Sequence, residues 1–274
     1  MEISLYGVKP MKKTNNKFLS ILVVFMVLFL SCSFSIKSKN SINQDEIEKF
    51  LKNAPITSIK KNLEMGRTNQ WRVALKDGEK EITAIFKHVN RPRPALLPDC
   101  YKYEIAAFNL NKMLGLNIVP PTVERKINNQ IGSLQLLIEK VMTERDRQIR
   151  NIQPKNPQEF NKDLDVIKIF EILVYDQCSD INDTLIQLDN WKVWRVDFSE
   201  AFSPSPDIPP ECRIERCSEN LYEKLLDINN SRLESELDPY LNKREINALL
   251  ERKNIIIRTI INLIKQYGKE AVLF

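Results

Sequence analysis

Three residues able to handle phosphate occur in a telling order. Lys87 closes a short alternating run, Glu104 follows seventeen residues later in a helix-forming stretch, and Asp197 sits in Val196-Asp197-Phe198-Ser199. An acidic loop carrying Asp176, Asp180 and Asp183 precedes that last segment. Phosphoryl transfer from ATP needs a cation for the α- and β-phosphates and a carboxylate to orient it. It also needs carboxylate or amide oxygens for Mg²⁺ or Mn²⁺, because these hard ions prefer oxygen. The bland alternative is a structural ion pair between Lys87 and Glu104. Other chemistries are ruled out by scarce residues: a single histidine, His88, cannot build a multi-histidine metal site. The six glycines lie too far apart for a G-x-G-x-x-G turn or a Walker-type loop, so any phosphate cradle must be of another kind.

The elements that would position these groups follow from periodicity. Residues 71–76 and 81–87 alternate around Asp77-Gly78 and predict a β-hairpin. Alternation puts Ala84 and Phe86 on one face and Ile85 and Lys87 on the other. A helix is expected over 99–114, with Ile105, Phe108, Leu110 and Leu114 as its apolar positions and Gly115 as its stop. Glu104 shares a face with Phe108, and a carboxylate beside core residues needs a partner. Extended segments are expected from Val119 and over 132–139 after an Asn128-Asn129 turn, and residues 145–162 read as a polar loop or insert. An apolar helix over 164–175, two strands within 184–197 around Asp189-Asn190, and a proline-bearing loop over 203–217 come next. An isoleucine stripe from Ile246 to Ile264 marks a closing helix.

The N-terminus has the pattern of an export signal. Lys12, Lys13 and Lys17 precede an apolar run over 18–30, too short to span a bilayer, and Leu28-Phe29-Leu30-Ser31-Cys32 has the form of a lipobox. The expectation is a signal peptide over 1–31, with Met11 as a possible true start, lipidation at Cys32, and a flexible tether over 32–44; a retained signal anchor is the alternative. The formal charge of +5 divides accordingly, since residues 1–31 hold four lysines against one glutamate. What remains is close to neutral, which removes compositional support for nucleic-acid binding. Cys100, Cys178, Cys212 and Cys217 are an even set in an exported chain; a Cys212–Cys217 loop is allowed, other pairings remain open, and zinc is disfavoured because no C-x-x-C occurs.

Ala84-Ile85-Phe86-Lys87, Tyr103-Glu104-Ile105-Ala106-Ala107-Phe108 and Val119-Pro120-Pro121-Thr122-Val123 together resemble the core of the Golgi casein kinase family of the secretory pathway. They are also similar to bacterial atypical kinases related to HipA and the phosphatidylinositol kinases. The resemblance covers roughly residues 60–274 and implies an α+β, two-lobed protein-kinase-like fold, with a β-rich N-lobe over 45–139 and a helical C-lobe over 140–274. It implies ATP with Mg²⁺ or Mn²⁺ in the cleft. Lys87 matches the phosphate-binding lysine, Glu104 its ion-pair partner, and Asp197 the metal-binding aspartate. Gln135 to Glu139 falls where the hinge frames adenine, which makes Glu139 a cofactor-side candidate. The catalytic loop departs from the pattern. In the gapless register Cys178 falls on the catalytic aspartate, Ser179 on the arginine after it, and Asp183 on the metal-binding asparagine; a shifted register puts Asp180 in the catalytic place.

The reading of the whole is a membrane-anchored, kinase-fold lipoprotein of the cell envelope, a nucleotide-binding pseudokinase or scaffold. The alternatives are an active ATP- and metal-dependent phosphotransferase on a protein, lipid or small-molecule acceptor, and a structural envelope lipoprotein. The expected partners are the membrane, through lipidated Cys32, and an acceptor of unassigned class, with no nucleic acid.

Overall fold

A computed structural model describes residues 43–61, 70–93, 97–176, 178 and 180–274. The segment expected to be a signal peptide, Cys32 and the expected tether as far as residue 42 lie outside the described residues. The chain enters through α1 (Gln44–Asn53), an amphipathic helix whose Leu51 is fully buried. The strands β1 (Ile56–Lys60), β2 (Gln70–Asp77) and β3 (Lys80–Lys87) follow, then a two-residue pair, β4 (Asn90–Arg91) and β5 (Asp99–Cys100). Next come α2 (Tyr101–Leu114), β6 (Thr122–Ile127) and β7 (Gln130–Leu136). Five of these strands form one antiparallel sheet in the order β1-β2-β3-β7-β6.

Turn chemistry sets this sheet's register. Gly78 takes φ +59° in the β2–β3 turn, and Asn128 and Asn129 both take positive φ in the β6–β7 turn, a conformation asparagine tolerates better than most residues. Alternation holds along β3: Ala84 and Phe86 are fully buried in a core shared with Leu51, Val73, Leu75 and Leu134, while Lys87 turns the other way. Gly132 on β7 is needed beside it. A Cβ there would stand 2.2 Å from the Lys87 carbonyl oxygen and 2.8 Å from the Phe86 ring, so only glycine lets the end of β3 close onto β7.

The helical part begins after a second sheet is opened by β8 (Val141–Thr143), which later pairs in the order β10-β9-β8 with β9 (Thr184–Gln187) and β10 (Val193–Arg195). Between them run α3 (Glu144–Ile149) and α4 (Pro157–Val174). The stretch over 145–162 is therefore largely helical and not a loop. Its starts are capped rather than apolar: Thr143 and Asp146 form a reciprocal capping box, and Asn156 accepts from the Glu159 amide just ahead of Pro157. The chain closes with α5 (Glu219–Asp227), α6 (Asn230–Leu237), α7 (Lys243–Tyr267) and α8 (Lys269–Val272). A large core joins α2, α4 and α7 through Phe108, Phe170, Leu249 and Ile256, each worth about 1.5–3 kcal/mol of burial. Among the described residues no helix is long and apolar enough to cross a membrane.

One disulfide is present among the described residues, between Cys178 and Cys212. Cys212 therefore does not close a short loop with Cys217. The latter is fully buried, and its backbone is bonded to the C-terminal strand segment, with its amide donating to Val272 and its carbonyl accepting from the Phe274 amide. Cys100 is likewise a buried free thiol.

Candidate functional site

Lys87 leaves the end of β3 and meets two carboxylates. Its Nζ donates to Glu104 Oε1 at 2.6 Å and to Asp197 Oδ1 at 2.7 Å. Glu104 is 1% exposed on the first turn of α2, a helix held in place because the Cys100 amide donates to the Ser199 carbonyl and the Tyr101 amide to that of Val89. Asp197 is supplied by the segment after β10 with φ +66°. Tyr175 and Phe202 nearby also have positive φ, so non-glycine residues in a sparsely populated conformation gather around this site. Burial alone would lower the Lys87 pKa, but the Glu104 and Asp197 carboxylates outweigh it and raise it, so the ammonium is kept. The Lys87 charge in turn holds Asp197 below the usual carboxylate range.

Behind Asp197 the loop joining α4 to β9 brings up the other acids. A cavity of about 190 Å³ is lined by Asp176, Asp180, Asp183, Arg195, Asp197 and Ser199 on this side and by Pro209, Pro210 and Glu211 opposite. Arg195, 1% exposed, reaches Glu171 and Asp176 at 2.7 Å and Asp183 at 3.5 Å. Burial pushes the Asp183 carboxyl up to about 7, against the pull of Arg195 and reinforced by Asp197, Asp180 and Asp176. Glu171 is also pushed up to about 7 by its burial. Asp180 lies on the cavity wall, with its Oδ1 accepting from the Asn182 amide and side chain.

The structure thus brings Lys87, Glu104 and Asp197 into contact, and Asp180, Asp183 and Asp197 to one cavity. It does not bring Glu139 there: that side chain is exposed and lies outside the cavity wall. Cys178, aligned with the catalytic aspartate, has its sulfur bonded to Cys212, so no free thiol stands at that place. His88 stacks on Phe86 and Trp71, as a partly buried packing residue.

Arg195, Glu171 and Arg252 escaped the sequence reading. The Arg252 side chain, fully buried on α7, donates to the carbonyls of Leu173, Ser203 and Ser205 and so ties the end of α4 to the segment after Asp197. For Glu171 and Arg195 the available signal was one charge inside an apolar run, as in Ile169-Phe170-Glu171-Ile172 and Val193-Trp194-Arg195-Val196, which must find a buried partner, whereas Arg252 is masked by its charged neighbours Glu251 and Lys253.

A divalent cation suits the donor set. Asp183 and Asp197 each give one oxygen to a protein cation and face the cavity, which matches the way Mg²⁺ is held by one or two carboxylates together with substrate phosphates. No cluster of three or more ligating side chains, as a self-sufficient metal cage requires, occurs among the described residues. The cavity is smaller than the roughly 300 Å³ at which small-molecule pockets begin, and Lys87 is not on its wall.

The sequence matches no family model and no curated protein. Solved structures do resemble the chain. A Fam20 protein from hydra, determined with sugar, superposes with a TM-score of 0.64 at 17% identity, covering 84% of this chain and 91% of that one. The proinflammatory kinase CtkA of Helicobacter pylori gives 0.48 at 11% identity, over 80% and 98%. The first of these likenesses establishes the fold: an antiparallel sheet and a helical part arranged as in the kinases, the α+β architecture that the sequence motifs implied.

Proposed function

We propose that the chain is an exported, lipid-anchored kinase-fold protein that binds a nucleotide with Mg²⁺ or Mn²⁺ and does not transfer its phosphate. Lys87 contacts the α- and β-phosphates, Glu104 fixes the lysine, and Asp197 with Asp183 holds the cation. The metal, when bound, neutralises phosphate charge, and the protein's part is to orient both. The observation that supports the non-catalytic reading is the Cys178–Cys212 bond: in the register that aligns Cys178 with the catalytic aspartate, a half-cystine replaces the carboxylate that would accept the acceptor's hydroxyl proton. A disulfide also suits an oxidising compartment outside the cytoplasm, as export requires.

Thermal unfolding with and without ATP and Mn²⁺ tests the binding half. The wild type is expected to be stabilised and Lys87→Ala to lose that increment; absence of stabilisation in the wild type would remove the nucleotide reading. Cys32→Ala is expected to move the protein out of the membrane fraction, and persistence there would contradict lipid anchoring.

An active phosphotransferase is the second reading, and one feature favours it. Asp180 lines the same cavity as Asp183 and Asp197, so a carboxylate stands at the cleft even though Cys178 has none. Phosphate release abolished by Asp180→Asn would establish it.

A further inference from the structure

Arg195 ends β10 two residues before Asp197, and its guanidinium is the centre of a buried acid cluster. Nε faces Glu171 of α4 at 2.7 Å, Nη2 donates to Asp176 just beyond that helix at 2.7 Å, and Nη1 lies 3.5 Å from Asp183 just before β9. One side chain therefore joins both ends of the 176–183 loop. Glu171 is buried against the guanidinium and lies off the cavity wall, and Asp176, which reaches that wall, keeps only 10% of its side chain exposed. Asp183 differs: its side chain is 28% exposed and lines the cavity, so it can be shared.

We propose that Arg195 is a positioning residue that holds Asp183 as its counter-ion and so weakens the cleft for a free divalent cation, which then enters mainly in company with phosphates. This rests on the reading of Asp183 as a cation ligand, not on nucleotide binding. A guanidinium on one carboxylate oxygen lowers the charge a second cation feels there and repels that cation directly. The phosphates of a nucleotide restore the missing negative charge.

The experiment is a Mn²⁺ titration of the protein alone, with free Mn²⁺ read by electron paramagnetic resonance. The variant Arg195→Met/Glu171→Gln/Asp176→Asn removes the guanidinium together with the two most buried carboxylates it serves, and leaves Asp183, which opens to the cavity, as the carboxylate released from it. It makes the site one unit more positive, and charge alone predicts weaker Mn²⁺ binding. The proposal predicts binding about tenfold tighter, and return to the wild-type level when Asp183→Asn is added. Arg195→Lys, which keeps the charge but cannot reach all three carboxylates, is expected to tighten Mn²⁺ in the same direction and serves if the triple variant does not fold. Unchanged or weaker binding in the folded variants, or a gain that survives Asp183→Asn, overturns the proposal. Failure of the wild type to bind ATP would overturn the nucleotide reading and leave the Mn²⁺ comparison standing.

Discussion

On one side of the cleft Lys87, itself buried and off the cavity wall, reaches across from a strand to a helical glutamate and to Asp197, whose side chain is 39% exposed and opens this group to the cavity. On the other side the equivalent machinery is closed on itself: Cys178 is spent in a disulfide, and Arg195 is surrounded by Glu171, Asp176 and Asp183. Phosphate binding rests chiefly on a positioned cation, so on the proposed reading the first side serves without the second. Proton removal from an acceptor needs a free base, and on the proposed reading the half-cystine Cys178 takes the place of that base. The contrast teaches that a kinase-like cleft can be divided, with binding and chemistry lost or kept separately.

Removing Lys87 is the severest way to break the open side. Lys87→Ala leaves Glu104, almost wholly buried, without its counter-charge, and a cost of about 3–5 kcal/mol is expected in urea unfolding. Adding Glu104→Gln should recover much of it; no recovery would mean that Lys87 matters through packing and not charge. The closed side is expected to lose somewhat less. Cys178→Ser with Cys212→Ser releases a crosslink spanning 34 residues and should cost about 3 kcal/mol, read by calorimetry, with no change if the bond contributes nothing to the fold.

The acid cluster gives the closed side a pH signature. Burial pushes the Glu171 and Asp183 carboxyls up to about 7 in the folded chain, against about 4 for the unfolded groups. Between these values the folded chain holds protons that the unfolded chain has released. Their contribution is thus fully present at the acid end and falls away as pH rises through about 7. A loss on the order of 2 kcal/mol for each of the two groups between pH 5 and pH 8 is expected, and it should shrink by about half in Glu171→Gln. A profile that Glu171→Gln leaves unaltered would place the titration elsewhere. The smallest effect lies at the turn between β9 and β10. Lys140 and Asp189 pair at 3.4 Å with both side chains largely exposed, and Lys140→Ala should change stability by less than about 0.5 kcal/mol.

Much of the open side was legible in the sequence. Alternation in 81–87 aimed Lys87 away from Phe86, the spacing to Glu104 placed a carboxylate on the facing helix, and the hairpin, Gly115 stop and isoleucine helix all stand within a few residues of where periodicity put them. These signals are local, because a strand's two faces and a helix's stripe are written in neighbouring residues. The closed side was legible only in part. Cys178 could be aligned with the missing aspartate, but its partner, Cys212, is chosen by how the segment after Asp197 folds back, which no spacing reveals. The Arg195 cluster gathers α4, the loop after it and β10, so its partners become neighbours only through tertiary packing. The helices within 145–162 were hidden for a different reason: their starts rest on Thr143–Asp146 and Asn156–Pro157 caps, while the apolar stripe begins only later.

The division of the cleft is tested most directly on one wild-type sample, titrated with ATP in the presence of Mn²⁺ by calorimetry while phosphate release is followed. The account predicts saturable binding with no phosphate released and no phosphate incorporated into the protein. Turnover that Asp197→Ala abolishes would contradict it, and so would the absence of any binding.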